Sequence, residues 1–110
     1  MENAMQEHVQ ICFDCAAACE RCITGCLNEE HLEHMRNCIQ RCRDCADFCT
    51  LCARLTARDS AFHKEFMALC AEVCDACAAE CRTHDDEHCR ACAEACQRCA
   101  DDCRRMLSMA

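Results

Sequence analysis

Proline, tryptophan and tyrosine are absent from this chain, and glycine occurs once, as Gly25. With so little to build tight turns from, a turn-rich β fold and a loop-rich disulfide scaffold are both excluded. Positive charge is scarce as well: 12 Lys and Arg stand against 20 Asp and Glu, for a formal net charge of -8. That is the wrong sign for gripping nucleic-acid phosphate or an anionic membrane surface, so neither partner is expected. No apolar run approaches the ~20 residues of a membrane span. The opening Met1-Glu2-Asn3-Ala4-Met5-Gln6 has neither the basic start nor the apolar stretch of a secretory signal. The expected location is the cytoplasm.

Cysteine is abundant instead, at nineteen of 110 residues. The cysteines form four blocks: Cys12, Cys15, Cys19, Cys22, Cys26; Cys38, Cys42, Cys45, Cys49, Cys52; Cys70, Cys74, Cys77, Cys81; and Cys89, Cys92, Cys96, Cys99, Cys103. Within each block the spacing alternates between three and four residues, the step of one helix face. Thiols therefore stand where an ordinary bundle carries its leucine seam. A reducing compartment keeps so many thiols unpaired, and cysteine at this density there points to metal before disulfide.

Four helical units of about 25 residues use nearly the whole chain, so residues 1–110 read as a single domain. The first helix is expected from about Asn3 to Leu27, and Asn28 is expected to cap a second helix that Glu29 and Glu30 open and that runs to about Thr56. Asp59, after a break near Arg58, should cap the third. Thr83 with Asp86 resembles a capping box for the fourth, which should end near Leu107. Short connections make neighbours antiparallel, and the fold class is all-α, an up-down-up-down four-helix bundle with a cysteine-lined core.

Overlaid in that arrangement, Cys12, Cys52 and Cys103 share the first level of the core, and Cys26, Cys38, Cys81 and Cys89 share the last. Met67 takes the one vacant place in the first level. By helix rise the column from Cys12 to Cys26 spans roughly 21 Å. The same three-four step continues past the thiols to Met5 and His8, to His63 and to Met106, all at the end that carries both termini. The opposite end continues into Met35, His31 and His84 but turns almost at once, and is expected to be the more closed. His34 and His88 lie off the seam and read as surface residues or helix caps.

Cysteine fills less volume than leucine, so a seam built from it alone would underpack an ordinary core and some other demand must favour sulfur. Redox disulfides explain neither five levels of thiols nor the odd total. Four-thiolate zinc sites would each leave a formal charge of about -2 in a core whose seam has no Lys or Arg. Iron-sulfur clusters share that problem, and their usual compact Cys-Pro loop motif is missing. Cu(I) is soft and monovalent, accepts two or three thiolates, and displaces one thiol proton per ion, so one ion per thiolate leaves the core neutral. The implied capacity is roughly 15 to 20 Cu(I) per chain. Cysteines four apart, such as Cys15/Cys19, Cys22/Cys26, Cys45/Cys49 and Cys99/Cys103, can converge on one ion without unwinding the helix. A zinc or general soft-metal sequestration protein and an iron-sulfur electron carrier remain the alternatives. No catalytic residues are expected.

The four blocks resemble, over the whole chain, the copper storage protein family in the branch without an export signal. The resemblance implies a four-helix bundle that holds Cu(I) along its interior through Cys-x-x-x-Cys and Cys-x-x-Cys pairs and associates as a homotetramer. It also implies loading through one end lined by Met or His. Met5, His8, His63, Met67 and Met106 are the residues that could play that part, with Leu55, Phe62 and Phe66 near the opening. Phe13, Phe48, Leu51, Leu69 and Val73 flank the cysteines and are expected to pack helices or subunits. A copper chaperone or a small thiol would serve as donor or acceptor.

Overall fold

The computed structural model describes residues 2 to 109; Met1 and Ala110 lie outside the described part. The cysteine periodicity becomes four α-helices, α1 (Glu2–Leu27), α2 (Leu32–Ala57), α3 (His63–Cys81) and α4 (Glu87–Ser108). No strand occurs among the described residues. Each helix packs on its neighbours in the chain, and α4 returns against α1 to close the ring. The result is the expected antiparallel bundle, a rod of 45 × 20 × 19 Å.

All nineteen cysteines are buried, none more than 1% exposed. Ala46 and Ala53, Ala71 and Ala78, and Ala93 and Ala100 are buried too, each directly following a cysteine and each pair spaced by seven. These are heptad positions beside the seam, where a methyl group lets the helices approach closely enough for a side chain as short as cysteine to meet its counterparts. Larger apolar residues sit outside this inner layer. Val9, Ile11, Ile23, Ile39 and Val73 are half-buried against it, and Phe48 on α2 stacks on Phe66 of α3 with ring centroids 5.3 Å apart.

The helix ends depart from the sequence expectation. Asn28 does not cap α2; its amide donates to the Thr24 carbonyl at 2.9 Å and finishes α1 instead. The α2 N-cap is His31, with no side-chain cap bond. Asp59 does not cap α3 either. It takes φ 50, and Ser60 N–H donates to Leu55 O while Asp59 N–H donates to Thr56 O. That is a Schellman ending for α2 with aspartate in the left-handed position usually held by glycine. The Ser60 hydroxyl then accepts from Phe62 N–H before α3 begins. Thr83 donates its hydroxyl to Glu80 O, and α4 starts only at Glu87 after the N-cap Asp86, so no capping box forms. Asn28 and Thr83 close the helix behind them through their side chains and Asp59 through its backbone, alternatives that sequence spacing does not separate from opening the next helix.

Candidate metal centre

Bringing four seams together leaves the thiols with one another as their main partners. Cys49 Sγ lies 3.5 Å from Cys74 Sγ. Cys45 stands 3.7 Å from both Cys74 and Cys96, and Cys92 stands 3.7 Å from both Cys19 and Cys42. Within a helix, the four-residue pairs Cys45/Cys49 and Cys92/Cys96 are 3.8 Å apart and Cys22/Cys26 are 4.0 Å apart. Contacts between helices are therefore as close as those along them. Metal–thiolate bonds of roughly 2.3 Å allow one ion to bridge sulfurs at such separations.

Sets of four sulfurs mutually within 4.8 Å recur along the rod, among them Cys15/Cys49/Cys74/Cys99, Cys15/Cys19/Cys45/Cys96, Cys19/Cys42/Cys77/Cys92 and Cys22/Cys26/Cys38/Cys89. Cys15 and Cys19 each belong to two of these sets, so the column is continuous rather than a row of separate sites. Cys38 Sγ lies 3.8 Å from Cys81 and 4.0 Å from Cys89, as the register of the last level requires. Among the described residues the only buried polar or charged side chains are His8, Thr56 and Asp102. Among the same residues no ammonium or guanidinium is buried to balance thiolate charge.

The thiols also set one another's ionisation. Hydrogen bonding from Cys19 holds Cys15 and Cys92 well below the ordinary thiol range, whereas Cys15 pushes Cys19 and Cys96 well above it. Cys19 and Cys42 lower Cys77 to about 6, and burial lifts Cys26 to about 12. The shifts run in opposite directions along the column, and deprotonating all of it needs one cation charge per sulfur.

Each end of the column carries an imidazole. At the end with the termini, His8 is fully buried. Its Nδ1 donates to Asp102 Oδ2 at 2.7 Å, since a carboxylate can only accept. Nε2 then faces Cys12, Cys52 and Cys103 at 3.3, 3.6 and 3.9 Å. Arg105 holds the other carboxylate oxygen, with Nε donating to Asp102 Oδ1 at 2.8 Å. Burial disfavours the imidazolium, but hydrogen bonds to Cys52 and Asp102 outweigh it and the His8 pKa is raised. Sequence reading missed Asp102, which looks like one more surface acid; its position directly before Cys103 was the available signal.

Around His8, Met67 and Met106 are buried and His63 is half-buried, bonded through Nε2 to Asp59 at 3.3 Å. Met5, His63, Met67 and Met106 line one cavity of about 300 Å³, and the buried His63 Nδ1 has no partner. Four of the five residues expected at a mouth are therefore gathered together, with His8 sealed beneath them. Phe62, expected near the opening, is 71% exposed.

At the opposite end His88 corrects the sequence reading. It lies off the three-four step, yet its Nδ1 stands 3.5 Å from both Cys22 and Cys89. Nε2 bonds Glu29 at 3.1 Å, and the ring remains 23% exposed. Space for it comes from the lone glycine: a Cβ on Gly25 would lie 2.6 Å from His88 Cγ and Cδ2. A groove lined by Asp14, Ala18, Arg21, Glu87, Ala91 and Ala95 runs to the same ring. Of the residues expected at this end, Met35 is buried core, His84 is half-buried and bonds Glu80 at 3.0 Å, and His31 is exposed.

Comparison with known proteins agrees with this geometry. The family model of the copper storage proteins (Csp) matches residues 1–108. An uncharacterised cysteine-rich protein of Bacillus subtilis, YhjQ, is 46% identical over 91 residues, 83% of this chain and 84% of that protein. The Cu(I)-bound copper storage protein BsCsp3 superposes with a TM-score of 0.91 at 45% identity, covering 94% of this chain and 98% of its own. A cytosolic copper storage protein from Streptomyces lividans, solved with five coppers, gives 0.93 at 38% identity, covering 96% and 93%.

Proposed function

This chain belongs to the copper storage protein family, and from that premise we propose that its thiol column stores Cu(I) at close to one ion per cysteine, roughly 15 to 20 ions per chain. The observation that carries this reading is the continuity of the column. Nineteen buried thiols share neighbours along the rod with no cationic side chain among them, and a monovalent ion that replaces one proton per sulfur keeps such a core neutral. The nineteen cysteines are the storage ligands, and His8, His63, Met5, Met67 and Met106 join them at the end bearing the termini. Copper moves in and out without any substrate bond being made or broken, so the protein is not an enzyme.

Copper exchange takes place at the His88 end rather than at the terminus-bearing end that the resemblance implied. A partly exposed imidazole already in contact with two thiols offers a neutral, exchangeable ligand between water and the column, whereas His8 has no exposure. The donor is a copper chaperone or a small thiol. The protein works in the cytoplasm, where a reducing environment keeps nineteen thiols free; no described helix is long and apolar enough to cross a membrane. It assembles as a homotetramer. Phe13, Leu51 and Leu69 are 42, 40 and 45% exposed, apolar area that subunit contact would bury. Residues 1–110 act as one domain.

Anaerobic titration of the reduced protein with Cu(I), followed by elemental analysis, tests the storage reading. Saturation near one ion per cysteine is expected, and a plateau at about four or five ions would favour discrete four-thiolate sites instead.

A further inference from the structure

The two imidazoles are not equivalent, and the buried one has the makings of a different metal site. His8 Nε2 faces three thiols, at 3.3, 3.6 and 3.9 Å. In a tetrahedral zinc site with metal–sulfur bonds of ~2.3 Å and a metal–nitrogen bond of ~2.0 Å, sulfur and nitrogen lie roughly 3.5 Å apart. The far side of the ring is already arranged. Asp102 fixes the tautomer through Nδ1, and Arg105 fixes Asp102 through Oδ1, giving the carboxylate–histidine pairing that orients metal-bound imidazoles.

Resting on the reading of the column as a metal store, we propose that Cys12, Cys52, Cys103 and His8 form a discrete site that takes one divalent ion of the zinc class before Cu(I) fills the column. Binding releases three thiol protons: Zn2+ takes three thiolate sulfurs and the neutral Nε2 lone pair, for a site charge of about -1. An all-thiolate set would be left at about -2. Because Asp102 and Arg105 neutralise each other, the second layer adds no net charge. The divalent ion therefore has a reason to prefer this level over the sulfur sets further along. His88 Nδ1 is placed against two thiols rather than three and is open to water, so it does not duplicate the site. The ion ties α1, α2 and α4 together beside both chain termini. Excess Cu(I), which thiolates prefer, displaces it as the store fills.

The test uses the reduced full-length protein under anaerobic conditions with Co2+ alone as the probe. One equivalent per chain should bind tightest, with the absorption of tetrahedral cobalt carrying thiolate ligands, and Zn2+ should displace it. His8→Ala should abolish that tight equivalent, Asp102→Asn should weaken it by about 10–100-fold, and His88→Ala should leave it unchanged. Circular dichroism confirms that each variant is folded, and cadmium NMR of the unaltered protein, through direct coupling to His8 Nε2, reads the site without any mutation. The proposal is overturned if cobalt spreads over several sites with affinity indifferent to His8 and Asp102, if no tight equivalent exists, or if cadmium shows no coupling to His8. Cu(I) titration of the same variants separates the two readings, because a retained capacity near the cysteine count leaves storage standing even if the divalent site fails.

Discussion

The two ends of the thiol column use the same side chain in opposite ways. His8 is sealed, bonded on one side to a buried carboxylate and on the other to three thiols. His88 is partly open to water, bonded to the half-exposed Glu29 and to two thiols, and fits only because Gly25 has no side chain. An imidazole locked on both faces holds what it binds; one with a soft partner and access to solvent passes it on. On the proposed reading, burial of the groups behind the ring, rather than the presence of histidine, distinguishes a holding end from an exchanging one.

The largest effect expected from this contrast is kinetic. His88→Ala should slow Cu(I) uptake from a chelated donor by about 10–100-fold in stopped-flow experiments, on the scale of losing a metal-site partner, while total capacity falls by no more than a few ions. Replacing His63 and Met106 together by Leu should slow it far less. The reverse ranking would move the doorway to the methionine cavity at the other end.

A thermodynamic contrast follows. Asp102→Asn should destabilise the apo protein by about 1–3 kcal/mol, because the network between His8 and Arg105 loses its negative charge and one of its two acceptor oxygens. Glu29→Gln should cost less than about 1 kcal/mol, since its half-exposed pair is screened by water. Chemical denaturation under reducing conditions measures both, and equal losses would erase the distinction between the ends.

The smallest effect sharpens the role of the lone glycine. Gly25→Ala improves helix propensity by about 1 kcal/mol yet must push the His88 ring away from Cys22 and Cys89. Uptake should slow about threefold or more with no loss of thermal stability. A variant as fast as the parent would show that the ring does not need its present position.

Much of this was legible in the sequence because one residue type repeats at helix period. Cysteine spacing fixed the helices, the seam and the levels, including the place of Met67 and the gathering of Met5, His63 and Met106. The turns were harder, since Asn28 and Thr83 close the helix behind them through their side chains and Asp59 through a left-handed backbone, and short polar residues offer both options. His88 and Asp102 escaped because each sits one position from a seam cysteine, off the three-four step. Their reach into the core depends on side-chain length and on what the facing helix leaves open. A solitary glycine in the first helix, level with Cys89 in an antiparallel pair, was the one written sign of that opening.

The account stands on a continuous column, and a crystal of fully Cu(I)-loaded protein measured at the copper absorption edge tests that directly. It predicts anomalous peaks along the whole rod, from the level of Cys26, Cys38 and Cys89 to that of Cys12, Cys52 and Cys103, with sulfurs shared between neighbouring ions. Four or five isolated peaks, each enclosed by its own four thiolates, would contradict it.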